Sequence, residues 1–159
     1  MSSFRIIIYS ALFLVTACGL SPLYNSKEPS LLIGKISIQE PTSENEFVFY
    51  SRLVDRFGQA GDKYILNYTI ATAKEDSALN FDGTAYRVEI SGSVSFSLKD
   101  KEKEIELLSD KEEMYLSYSN SGSTAAVLNA ERNTNKKLVI LLADKVADRI
   151  SLTIVENSL

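Results

Sequence analysis

Few side chains here could do chemistry. Cys18 is the single thiol in 159 residues, and the chain has no histidine. Without His the commonest general base is missing, as is every Ser-His or Cys-His nucleophile and the commonest metal ligand. One cysteine rules out an internal disulfide, a cysteine zinc site or a CxxC redox pair. Carboxylates cluster at Glu102 and Glu104 and again at Asp110, Glu112 and Glu113, but each cluster is interleaved with lysine. That pattern reads as a solvated turn or a charge-protected edge strand rather than an acid/base pair. Serines are plentiful, but no GxSxG elbow, P-loop, GxGxxG or calcium-loop spacing occurs. A catalytic reading therefore has no support, and no cofactor or metal is implied. The net charge of −4 also argues against bulk attraction to nucleic acid.

Three sets of residues remain. The first is Cys18 and what precedes it. Arg5 is followed by an apolar run from Ile6 to Val15, then Val15-Thr16-Ala17-Cys18. The run is too short to span a bilayer and suits a signal peptide. An aliphatic residue at −3 and small residues before a Cys resemble a bacterial lipobox. Residues 1–17 are then a signal peptide, Cys18 is the acylated N-terminus, and residues 18–30, with Pro22 and Pro29, are a lipidated tether. Acyl chains, palmitate among them, anchor at about 0.8 kcal/mol per buried methylene, so several together hold the protein to the bilayer. Gly19 after the cysteine favours an outer-membrane destination.

The second set is Ser91, Ser93, Ser95 and Ser97, alternating with Ile90, Val94, Phe96 and Leu98. Strict alternation predicts a strand with one buried and one wet face. A wet face usually carries longer side chains, so a row of small hydroxyls suits close approach of a partner. Arg87 shares that parity and is a candidate contact for a phosphate or a partner carboxylate. The third set, Arg52, Arg56, Lys63, Lys136 and Lys137, reads best as ordinary surface charge.

The elements that position these residues follow from periodicity. Residues 31–39 alternate as a strand. Ser43 through Glu46 reads as a capping box, and Phe47, Tyr50, Val54 and Phe57 mark the inner face of a helix over 44–57, stopped by Gly58. Residues 63–72 form a second strand, with a polar loop over 73–85 containing the Asp82-Gly83 turn signal. The serine strand runs from Tyr86 to Leu98 with its even residues inward. Residues 99–104 make a charged turn. Residues 105–118 form a fourth strand with a phase slip between Leu108 and Glu113. A long helix from Thr124 to about Ser151 is apolar at Val127, Leu138, Leu142, Val146 and Ile150. The expected domain, 31–159, is α+β: a two-layer sandwich of order β-α-β-β-β-α. Its four-stranded mixed, largely antiparallel sheet carries both helices on one face.

Cys18-Gly19-Leu20-Ser21-Pro22-Leu23-Tyr24 resembles the start of the LptE family of LPS-assembly lipoproteins, in its alphaproteobacterial form. The element order is similar too, as is Tyr115 to Arg132, where a strand passes into an Ala-rich helix start. Leu20 stands where that family usually has Phe. The resemblance implies a non-catalytic outer-membrane lipoprotein that plugs the LptD β-barrel, assists its assembly and helps deliver lipopolysaccharide. It implies LptD, lipopolysaccharide and the bilayer as partners. The residues alone leave open another lipid-anchored periplasmic binding, adaptor or inhibitor module.

Overall fold

The computed structural model describes residues 32–59, 61–79 and 85–156. Cys18, the signal and tether segments and the Asp82-Gly83 turn lie outside these. Four strands and two helices follow in the expected order. They are β1 (Ile36–Ile38), α1 (Glu44–Phe57), β2 (Tyr64–Leu79), β3 (Ala85–Asp100), β4 (Glu106–Ser119) and α2 (Thr124–Glu156). The sheet is open, ordered β1-β2-β3-β4. β1 lies parallel to β2, and β2, β3 and β4 form an antiparallel meander.

Helix α1 begins and ends where its caps dictate. Ser43 Oγ accepts the Glu46 amide, and the Glu46 carboxylate reaches back to the amide and hydroxyl of Thr42. These bonds hold the Glu46 carboxyl below its usual range, with the Thr42 amide the largest cause. Gly58, at φ 80°, closes the helix with its amide on the Val54 carbonyl. The inner face matches the expected one at Phe57 alone. Phe49, Leu53 and Phe57 are buried, while Tyr50 and Val54 are half-buried and Phe47 is 62% exposed. Both stripes have helical spacing, and the choice between them falls to packing. Phe49 stacks obliquely on Tyr68 of β2, with ring centroids 4.8 Å apart.

The core lies between the sheet and the two helices. From the sheet come Leu66, Tyr68, Val88, Ile90, Val94, Phe96 and Leu98, and from α2 come Leu138, Leu142, Val146 and Ile150. The even face of β3 is inward as expected, except that Tyr86 stands 47% exposed near the strand's start. Helix α2 has 33 residues, about 50 Å at 1.5 Å per residue, which matches the roughly 53 Å of sixteen-residue β2 and β3. It lies close to the sheet because Gly92 has no side chain. A Cβ there would stand 2.7 Å from Leu138 Cδ2 and 3.0 Å from Leu142 Cδ1.

Three further expectations need correction. Of residues 31–39 only Ile36–Ile38 are strand, and Ile33 to Lys35 form a turn before it. β2 continues to Leu79, so residues 73–79 are strand and not loop; from Ala73 to Ser77 both of its faces are wet and carry no apolar alternation. The slip in β4 is one bulged residue, Leu107, where pairing jumps from Leu98–Leu108 to Lys99–Glu106. From Leu108 onward the even residues all face the helices. Asp110 and Glu112 break the apolar pattern because they meet α2: Asp110 accepts from Arg149 Nε at 3.0 Å and Glu112 from Lys145 at 3.3 Å. The Asp110 carboxyl sits below its usual range, through the Lys111 amide first and Arg149 next.

Candidate binding face

The serine row lies on the side of the sheet away from the helices. β3 alternates there, so burying Val88, Ile90, Val94 and Phe96 turns Arg87, Ser91, Ser93, Ser95 and Ser97 outward. Ser95 and Arg87 are exposed and the other three serines half-buried. Register supplies the neighbours. On β2, Ala73, Ala71, Thr69 and Asn67 stand opposite Ser91, Ser93, Ser95 and Ser97; on β4 it is Tyr115, Glu113, Lys111 and Ser109. Arg87 stands opposite Ser119, at the far end of this face.

Nothing among the described residues covers it. Its floor dips in a shallow depression of about 200 Å³ lined by Ala71, Ala73, Ser91, Ser93, Glu113 and Tyr115. Glu113 forms an ion pair with Lys111 at 2.6 Å and accepts from the Tyr115 hydroxyl at 3.3 Å; Lys111 first and Tyr115 after it hold the Glu113 carboxyl below its usual range. Sequence reasoning missed Lys111, Glu113 and Tyr115. The parity of Met114, Leu116 and Tyr118, carried back to Ser109, would have found them.

The centre of the face presents hydroxyls, methyls, the Tyr115 ring and one neutralised ion pair, and its far end carries Arg87, Glu89 and Glu75. It can receive a closely packed polar surface, but no activated nucleophile is arranged on it. Ser91 Oγ reaches only the Ala73 carbonyl, at 3.5 Å. Among the described residues no group of three or more acidic or cysteine side chains could hold a metal.

The other basic residues are largely structural. Arg52 grips Asp144 of α2 with two bonds, at 2.9 and 3.1 Å, and Arg56 pairs with Asp148, so the two helices are clamped together. Lys63 lies 5.1 Å over the Tyr64 ring. Lys136 and Lys137 are exposed on α2.

A second concavity lies on the helix side, beyond the N-terminal end of α1, where α2 runs on alone. This cleft of about 340 Å³ is lined by Thr72, Lys74, Ile90, Leu128, Glu131 and Asn135. Glu131 ties three elements together, accepting from Lys74 at 3.0 Å and from the Tyr118 hydroxyl at 3.2 Å. Its carboxyl is held below the usual range by Lys74, whereas burial pushes the Tyr118 hydroxyl up.

Known proteins share this framework. A Caulobacter crescentus CB15 protein described as a lipoprotein superposes with a TM-score of 0.65 at 17% identity, covering 83% of this chain and 98% of its own. Rare lipoprotein B from Shewanella oneidensis gives 0.62 at 18% identity, covering 79% and 98%. At such identities the likeness establishes the fold. No curated protein matches significantly by sequence. The sequence signature of LptE, described as Lipopolysaccharide-assembly, matches residues 33–150. That span is well over half the chain and takes in every strand and most of α2, so the chain belongs to the LptE lipopolysaccharide-assembly family.

Proposed function

We propose that the protein is a lipid-anchored subunit of the lipopolysaccharide translocon at the outer membrane. It serves as plug and assembly partner of an LptD-type β-barrel and takes part in delivering lipopolysaccharide to the outer leaflet. Its role is to bind and position, without catalysis. The observation that carries the reading is the uncovered sheet face, small and polar along Ser91, Ser93, Ser95 and Ser97, on a chain of this family. A barrel lumen is confined and wet, and a face whose centre is hydroxyls and methyls can pack closely within it. Arg87, exposed at the end of that face, is our candidate contact for a carboxylate of the barrel or a lipid phosphate. Attachment falls to Cys18 acylated at the lipobox. No helix among the described residues is long and apolar enough to cross a membrane.

Purification of the tagged full-length protein from detergent-solubilised outer membrane tests the reading. A large β-barrel recovered in equal amount is the expected result, together with mass spectrometry showing cleavage before Cys18 and added acyl mass. Recovery with a soluble periplasmic partner alone would move the protein to another class of anchored adaptor. An intact N-terminus would remove the anchor.

A further inference from the structure

One edge of the sheet is built to exclude another strand, and the other is not. β4 carries four charged residues in a row, Asp110 to Glu113, and Lys145 caps the Glu113 carbonyl with a 3.1 Å bond. Charge on an edge and a lysine on its carbonyl are the usual guards against strand addition. The opposite edge bears charge only from Lys74 onward, at Lys74, Glu75 and Asp76, and leaves Asn67 to Ala73 unguarded. β1 pairs with β2 only from Tyr64 to Leu66, so β2 is itself the free edge beyond that point. Gln39 adds one amide bond to the Leu66 carbonyl and one side-chain bond from the Tyr68 amide. Pairing then stops.

Bonds from the Tyr64 amide and to the Leu66 carbonyl show that the even residues of β2 direct their backbone groups away from β3. The amides and carbonyls of Ile70 and Thr72 therefore point outward, and no described residue pairs with them. The free stretch, Asn67-Tyr68-Thr69-Ile70-Ala71-Thr72-Ala73, has no charge, proline or glycine. It is rich in residues that favour strands.

An apolar flank lies beside this edge. Asn45, Arg52 and Arg56 of α1 turn toward α2, and Phe49, Leu53 and Phe57 enter the core. At 100° per residue that leaves Phe47, Tyr50 and Val54 on the outer flank, beyond the edge. Tyr50 and Val54 line a hollow with Ser37 and Ile38 of β1, and Phe47 is the most exposed large apolar side chain among the described residues.

We propose that the free edge of β2, Thr69 to Ala73, receives an extended strand of the barrel partner as an added strand of this sheet. Backbone donors and acceptors in a row recognise another backbone, so the occupant is an extended polypeptide segment. The edge is uncharged from Asn67 to Ala73, and only Glu40 brings charge to the hollow beside Tyr50, so the stretch of the occupant paired with this edge is uncharged. Its side chains alternate: apolar toward Phe47 and Tyr50, small and polar on the serine side. Asn67, Thr69 and Ala71 belong to both the edge strand and the serine face, so one partner meets both surfaces together. The inference rests on the barrel reading above.

Amide hydrogen exchange of the full acylated protein, alone and in its barrel complex, is the test. The Ile70 and Thr72 amides exchange freely in the protein alone and slow roughly 100-fold in the complex. Thr72→Pro deletes one outward amide at an exposed position and leaves the β3 ladder intact, so it keeps the melting profile and weakens barrel recovery roughly tenfold. Thr72→Val retains recovery. A bound barrel with both amides unprotected overturns the inference and leaves the barrel reading standing. Protection that grows with concentration of the protein alone assigns the edge to a second copy and overturns it too. Failure of the wild-type protein to recover any barrel overturns the functional reading first, and the assignment with it.

Discussion

Tyr68 shows how a single hydroxyl ties the sheet to its edge. Its ring packs under Phe49, and its Oη donates to the Gln39 carbonyl at 3.2 Å, where the chain leaves β1 for α1. Burial first, and the nearby Glu46 carboxylate second, push the phenol up to about 12 from an ordinary value of 10. The folded state thus holds the proton more tightly than the unfolded chain. That contribution is complete below pH 10 and is lost as pH rises from 10 through 12. Tyr68→Phe should lower stability at neutral pH by about 1 kcal/mol, through the lost hydrogen bond. It should also flatten the alkaline decline over that window. Urea melts at pH 7 and across the alkaline range read both effects; an unchanged alkaline slope would assign the decline to other tyrosines. The bond itself was not legible in the sequence. Tyr64, Leu66, Tyr68 and Ile70 showed only that one face was inward, since alternation reports a side and not a partner.

The elements were legible where one force dominated. Helix α1 begins and ends as its capping residues and Gly58 indicate, because caps act locally. Its inner face was misjudged because Phe47, Tyr50 and Val54 compete at the same spacing with Phe49, Leu53 and Phe57. Periodicity cannot choose between two apolar stripes. The far half of β2 was hidden because both its faces meet water, and the parity of β4 because Asp110 and Glu112 face the helix as ion-pair partners. Gly92 was visible only as an interruption, yet it sets how closely α2 approaches the sheet. Leu138 and Leu142 are fully buried there and have little room to give way. Gly92→Val should therefore cost about 1–3 kcal/mol by overpacking, despite the better strand propensity of valine. Truncating the opposing leucine in the same chain, Gly92→Val with Leu138→Ala, should recover part of that cost relative to the sum of the two single changes. Thermal melts of the three variants decide it, and strict additivity would place the constraint elsewhere.

At the scale of the molecule, the two faces of the sheet divide the labour. One is closed by α1 and α2, clamped to each other by Arg52–Asp144 and Arg56–Asp148, and α2 is pinned to β4 by Arg149–Asp110 and Lys145–Glu112. The other carries short side chains on β3 and on the facing part of β2, with Lys111, Glu113 and Tyr115 along β4, and is left open. Because the helix-side core holds the fold, the open face is free to change without unfolding the protein. Ser93 and Ser95 lie at its centre, flanked by Ala71 and Thr69 on one side and by Glu113 and Lys111 on the other. Replacing both with arginine adds two long cations pointing away from the core, so the melting temperature should stay within the small range typical of surface changes, about 0.5 kcal/mol in stability. Partner recovery should fall sharply. A surface packed against serine has no room for a guanidinium, and burying one unpaired is costly. A control pair on the exposed outer side of α2, Asn129→Arg with Asn133→Arg, adds equal charge and should leave recovery intact. Equal loss in both pairs would mean that net charge weakens the complex. Full recovery with Ser93→Arg and Ser95→Arg would move the interface off the open face, leaving the β2 edge and the flank of α1 to hold the partner.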